Sequence, residues 1–188
     1  MQRPRSMATK RSPSRKKAGG GQKTPDVLEL LASQHAEVDD LFDQLESAGE
    51  DRAAIFQELA DRIAAHATAE EKVFYPAAMR DQTTEMLHQA VEEHLALKRV
   101  LADMLELDPE ADEEGFMAKL AVAKEEFSHH AHEEEEKRLF PALRKLMSKD
   151  EREALAGEVL SAFEAAMEDE PRTHIPDETS MAASLPPP

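Results

Sequence analysis

The chain has 188 residues, enough for one domain with tails, and carries a net charge of −17 with no cysteine. The missing thiol excludes disulfides, thiolate metal sites and cysteine nucleophiles. No apolar run is long enough for a membrane span and no apolar stretch follows the basic N-terminus as in a secretory signal, so a cytoplasmic protein is the default expectation. Ala, Leu, Glu, Lys and Gln are abundant, aromatics make up 4%, and Val and Ile are sparse, which predicts an all-α fold.

Residues 1–23 hold Arg3, Arg5, Lys10, Arg11, Arg15, Lys16, Lys17 and Lys23 with no acid, interspersed with Ser, Pro and Gly. Such a segment cannot bury a core and is expected to be a disordered basic tail. One reading makes it an arm for weak contact with a polyanion; the plainer one, a solubilising tail, is preferred. A bundle is expected over 24–147. Thr24-Pro25-Asp26 reads as a helix start, and the stripe Leu28, Leu31, His35, Val38, Phe42, Leu45 runs to Gly49. The second helix opens near Asp51, with Ile55, Leu59, Ile63, His66, Glu70 and Val73 on one face, and Pro76 as its expected stop. The third follows Gln82 with Leu87, Val91, His94, Leu101 and Leu105, and Lys98 interrupts its stripe. The fourth begins near Asp112 with Phe116, Leu120, Ala123, Phe127, His130 and Glu134, and Pro141 is its expected end. Short connections imply an up-down-up-down four-helix bundle. An additional C-terminal helix over 148–169 starts at the capping box Ser148–Glu151, packed across the bundle end or forming a dimer contact. Residues 170–188, rich in proline, are expected to be a second disordered tail.

Each of the four stripes carries a histidine where leucine would be expected: His35, His66, His94 and His130. One core histidine is usually a satisfied structural residue. Four in four stripes, two of them with a glutamate on the same face, are harder to read that way, because an unpaired buried carboxylate costs several kcal/mol. A cation removes that cost, and imidazole with carboxylate suits iron, manganese or zinc. Counting about 1.5 Å per residue, His35 and His66 lie roughly 16–23 Å into their helices, and His94 and His130 at comparable depths, so all four can meet at one level. The segment His66–Pro76, HATAEEKVFYP, returns in degraded form as His129–Pro141, HHAHEEEEKRLFP, with each histidine about a turn ahead of a glutamate pair.

This doubled frame, with one histidine on the first and one on the third helix, resembles the hemerythrin-like, or HHE cation-binding, family over about residues 26–147. The resemblance implies a bundle holding a non-heme di-iron centre, two Fe ions in preference to Mn or Zn, with histidines as terminal ligands and two carboxylates bridging. The implied ligands are His35, His66, Glu70, His94 and His130, with Glu134 or Glu135. Apolar phase from His130 selects Glu134; alignment on the EEK…FP end selects Glu135, five residues on, which a π-bulge would absorb. Oxygen-carrying hemerythrins have two histidines a turn apart on the third helix. Here Ala90 precedes His94 by a turn and His88 falls about 120° off the face, leaving a coordination position open. His129 and His132 are expected to be exposed or to support the ligands, His174 to be incidental, and Tyr75 to pack at the bundle end without a redox role.

Three functional classes follow. The centre could bind or sense O2, NO or iron, as in a stress response. The same centre could be an enzyme that decomposes peroxide or reduces nitric oxide. Alternatively, the bundle binds no metal and serves interaction, which would require the four histidines to be coincidence. Oligomeric state is open, and no membrane contact is expected.

Overall fold

A computed structural model describes residues 25–48 and 51–185, and among these there are helices and no strand. The first rod is α1, Val27–Ser47. The second joins α2, Arg52–Ala69, through a π segment, Glu70–Phe74, to α3, Tyr75–Ala78. The third is α4, Thr84–Leu105, and the fourth joins α5, Glu113–Ser128, through a longer π segment, His129–Leu139, to α6, Phe140–Leu146. Short links make neighbouring rods antiparallel.

Capping explains the starts. Asp26, not Thr24, opens α1: its carboxylate accepts from the Leu28 and Glu29 amides, and Glu29 reaches back to the Asp26 amide. Thr24, Gly49 and the basic segment 1–23 lie outside the described residues. The two prolines act differently from the expectation. Pro76 and Pro141 do not stop their rods, which run on to Ala78 and Leu146. Immediately before each proline the backbone is wound wide, the Tyr75 amide donating to the Glu70 carbonyl and the Phe140 amide to the Glu135 carbonyl. That wide turn relieves the clash a proline ring makes with the carbonyl four residues back in an α-helix.

The core is in two parts. One apolar cluster, including Phe42, Leu59, Leu101, Phe116 and Phe127, fills the half toward the α1–α2 link. The other, including Leu28, Leu31, Phe74, Leu87 and Phe140, fills the opposite half. The buried polar residues His35, His66, Glu70, His94, His130 and Glu135 come from the stretches between them, a polar layer inside an apolar bundle.

The C-terminal third departs from expectation twice. α7, Lys149–Met167, opens with the Ser148–Glu151 capping box but lies along α1 and α2 instead of across the bundle end. Beyond it, residues 170–185 form a packed strap and not a disordered tail. A 3-10 turn, Pro171–His174, leads into α8, Ile175–Glu178, against α2 and α4. Ile175 is fully buried in the first apolar cluster, and Arg172 binds Asp61 through its backbone amide and its guanidinium. The inserted isoleucine and the ion pair anchor this proline-rich segment to the bundle.

Candidate metal centre

Each rod delivers one histidine to the polar layer. His35 comes from α1, His66 from α2, His94 from α4 and His130 from the second π segment, and all are buried. Glu70 follows His66 by one turn, and Glu135 follows His130 by five residues. Ligand-type atoms of His35, His66, Glu70 and Glu135 lie within 4.8 Å of one another, as do those of Glu70, His94 and His130. Glu70 belongs to both groups and stands between them.

The orientation of the imidazoles is set from outside. Nδ1 of His35 is 2.8 Å from Glu136, that of His66 2.9 Å from the Gln34 side-chain oxygen, that of His94 2.9 Å from Glu71, and that of His130 3.0 Å from Glu93. Carboxylate and amide oxygens only accept, so each Nδ1 carries the proton and each Nε2 faces the interior. There the Nε2 of His35 is 3.3 Å from Glu135, and those of His66 and His94 are each 3.2 Å from Glu70. The Nε2 atoms of His94 and His130 are 3.0 Å apart. Two lone pairs cannot face each other at that distance without a proton or a cation between them.

The electrostatics describe a site that attracts positive charge. Burial alone would lower the basicity of His130, but the neighbouring Glu70 carboxylate and the hydrogen bond to Glu93 raise its pKa to about 10. Burial likewise opposes protonation of His35, and Glu135 and Glu136 raise it to about 9. For His66 burial prevails and the pKa falls. Burial would raise the Glu70 carboxyl, yet the neighbouring imidazoles hold it well below the usual range. Four inward atoms, His35 Nε2, His66 Nε2, Glu70 Oε1 and Glu135 Oε2, make no contact of hydrogen-bond geometry. Orphaned buried atoms of this kind cost about 1–3 kcal/mol each. Divalent or trivalent cations are their natural partners, and imidazole paired outward with carboxylate is the arrangement that supports metal ligands. The donor set therefore fits metal binding.

Glu134 stands apart from these groups. A regular α-helix would carry it inward from His130, but the π turn brings residues five apart into register and gives that place to Glu135. Glu134 instead pairs with Arg138 on the outer face. His129 is half exposed, and His132 joins Asp39 to Glu136, 2.9 and 3.3 Å away.

Tyr75 was expected at the bundle end and lies instead at the centre. Its hydroxyl donates toward Glu135 at 3.1 Å and Glu70 at 3.2 Å and sits 3.4 Å from His94 Nε2. Burial, with the charges of Glu135 and Glu70, pushes its pKa well above the ordinary value, so it stays a neutral donor. The doubled frame held the signal: in each copy the residue before proline is aromatic. Tyr75 stacks on His94 and Phe140 on His35, with centroids 5.7 and 6.1 Å apart. The hydroxyl belongs to one copy only. Gln34, Glu71, Glu93 and Glu136 also escaped sequence reasoning, because acceptors on neighbouring rods have no sequence spacing to read.

A family model described as the hemerythrin HHE cation binding domain matches residues 26–143. A crystal structure of a hemerythrin HHE cation binding domain-containing protein from Mycobacterium kansasii is similar to this chain, with a TM-score of 0.68 and 24% identity over 77% of this chain and 89% of that one. That likeness bears on the fold. Comparison with curated proteins finds no match.

Proposed function

This chain belongs to the hemerythrin HHE cation-binding family, and on that footing we propose that its polar layer holds a non-heme pair of iron ions that meets a small ligand such as O2, NO or peroxide. The observation that carries the reading is the common orientation of four imidazoles. Each Nδ1–H is turned outward to an oxygen and each Nε2 inward toward two carboxylates with unpaired oxygens. His35 and His66 would bind one ion, His94 and His130 the other, with Glu70 and Glu135 between them. Bound there, iron supplies Lewis acidity and one-electron redox chemistry.

The protein's own share is positioning and exclusion. Gln34, Glu71, Glu93 and Glu136 fix the ring planes and the tautomers. Phe127 and Phe140 pack on His35, and the two apolar clusters keep bulk water from the layer. Tyr75 holds a proton at its hydroxyl within reach of both carboxylates.

Protein purified from iron-supplied cells is the test. About two irons per chain with near-ultraviolet absorption supports the reading, and a colourless zinc protein or one without metal overturns it. A specific observation favours reaction over reversible carriage: Ala90 is buried one turn before His94 and offers no donor atom. Rapid peroxide consumption, lowered in Ala90→His, fits that reading; many cycles of reversible oxygen uptake without oxidation would favour carriage.

A further inference from the structure

The interruption in the third rod's apolar stripe leads to a coupling between the C-terminal strap and the polar layer. Lys98 follows His94 by one helical turn on the same face, and its side chain is 7% exposed. A buried ammonium needs carboxylate partners. Lys98 has two: Glu71 Oε1 at 3.3 Å and Glu178 Oε2 at 2.8 Å, the latter from α8 of the strap. The same Glu71 Oε1 accepts from His94 Nδ1 at 2.9 Å. One oxygen atom thus serves both the imidazole and the ammonium.

We propose that Glu178 and Lys98 are positioning residues for the centre, the strap holding Lys98 so that Glu71 stays committed to His94. The inference rests on the reading of His94 as a ligand, and it reaches beyond the family-matched segment, which ends at residue 143.

The physical reason is competition for a shared acceptor. With Glu178 in place, Lys98 makes its shorter contact to the strap and its longer one to Glu71, leaving the short Glu71 contact to His94. Without the Glu178 charge, the ammonium has only Glu71 to neutralise it, and the carboxylate is drawn along the rod away from His94. Among the described residues this coupling is peculiar to His94. The oxygens that accept from His35, His66 and His130 belong to Glu136, Gln34 and Glu93, and none of these three makes a hydrogen bond or ion pair to the described part of the strap. The strap is also held independently of Lys98, by buried Ile175 and by the Arg172–Asp61 pair, so it acts as a fixed post.

The test is a cycle of Glu178→Gln, Lys98→Met and the double variant in the full chain, each checked for helicity and thermal unfolding. Glu178→Gln removes a charge at a partly exposed, isosteric position. In metal-free protein labelled with nitrogen-15, the Nδ1–H resonance of His94 should move toward that of a weaker hydrogen bond in Glu178→Gln, with the His35, His66 and His130 resonances unchanged. Iron titration should show about tenfold weaker binding of one iron of the two, the size typical for loss of an outer partner of a metal ligand. In the Lys98→Met background, with no ammonium left to compete, Glu178→Gln should change neither reading. An unshifted His94 resonance in folded Glu178→Gln overturns the proposal, as does an equal effect of Glu178→Gln in both backgrounds. A shifted resonance in a protein that takes no iron would retain the coupling and remove the iron reading.

Discussion

Glu134 and Glu135 differ by one position and point to different worlds. Glu135 is 1% exposed and its Oε2 is among the unpartnered inward atoms, whereas Glu134 is satisfied by Arg138 at the surface. Glu135→Ala should therefore lower bound iron sharply, measured by metal analysis of the purified variant, while Glu134→Ala keeps nearly the full content. Equal losses in the two would mean that the π register of this rod is not the one that meets the metal. Tyr75 makes a second case at this scale. Its single hydroxyl proton lies within donating reach of two buried carboxylates, so Tyr75→Phe should destabilise the metal-free protein by about 1–3 kcal/mol, the cost of leaving a buried acceptor short. Iron held as proposed would neutralise the same two carboxylates, so denaturant unfolding should show a smaller penalty for the iron-loaded variant. A penalty that does not depend on iron would separate the hydroxyl from the centre.

At the scale of elements, the ends of the helices are held by named groups. Asp26 caps α1 and also receives the Arg152 guanidinium of α7 at 2.9 Å, tying the added helix to the bundle. Burial would raise its carboxyl, but the bond from Arg152 and those from the Glu29 and Leu28 amides hold it below the ordinary value of 3.8. The sign follows from that direction: the stabilisation is present above the unfolded value and is lost as pH falls through the lower folded one. Asp26→Ala should cost about 1 kcal/mol at neutral pH, as losses of N-caps do. The difference from wild type should shrink when unfolding is followed into acid; a constant difference down to the acid limb would mean that the carboxylate charge plays no part. The π segments are the other decisive elements. They carry Glu70 and Glu135 and let both rods continue through a proline, so the site and the break in helical register are one feature.

At the scale of the molecule, the strap packs on both α2 and α4. Ile175 is fully buried in the apolar cluster on one side of the polar layer, and Ala183 and Leu185 pack against the cluster on the other. Ile175→Ala should lower stability by about 2–5 kcal/mol, the range for truncating a buried isoleucine, read as a shift in denaturant midpoint. A loss below about 0.5 kcal/mol, as at exposed positions, would show that the strap detaches in solution. Chelation should act on the whole molecule too. A ligand that binds only the folded state stabilises it by mass action, so stripping iron should lower the melting temperature, and restoring it should raise it again.

The all-helical class, the four rods and the presence of a histidine in each buried stripe were legible in the sequence, because apolar periodicity and the doubled frame from His66 to Pro76 and His129 to Pro141 are local patterns. Local patterns also misled. Regular helical phase favours Glu134 and treats Pro76 and Pro141 as stops, since the wide turns that override both depend on packing of the two rods around the polar layer. Proline content made residues 170–188 read as disordered, while the contacts that order residues 170–185 come from residues remote in sequence, among them Asp61 and Lys98. The reach of Tyr75 to Glu135, the oxygens that turn each imidazole, and the link from Glu178 through Lys98 and Glu71 to His94 exist only where separate rods meet. Sequence spacing determines which side chains share a face; which faces confront one another, and at what distance, is decided by tertiary packing alone.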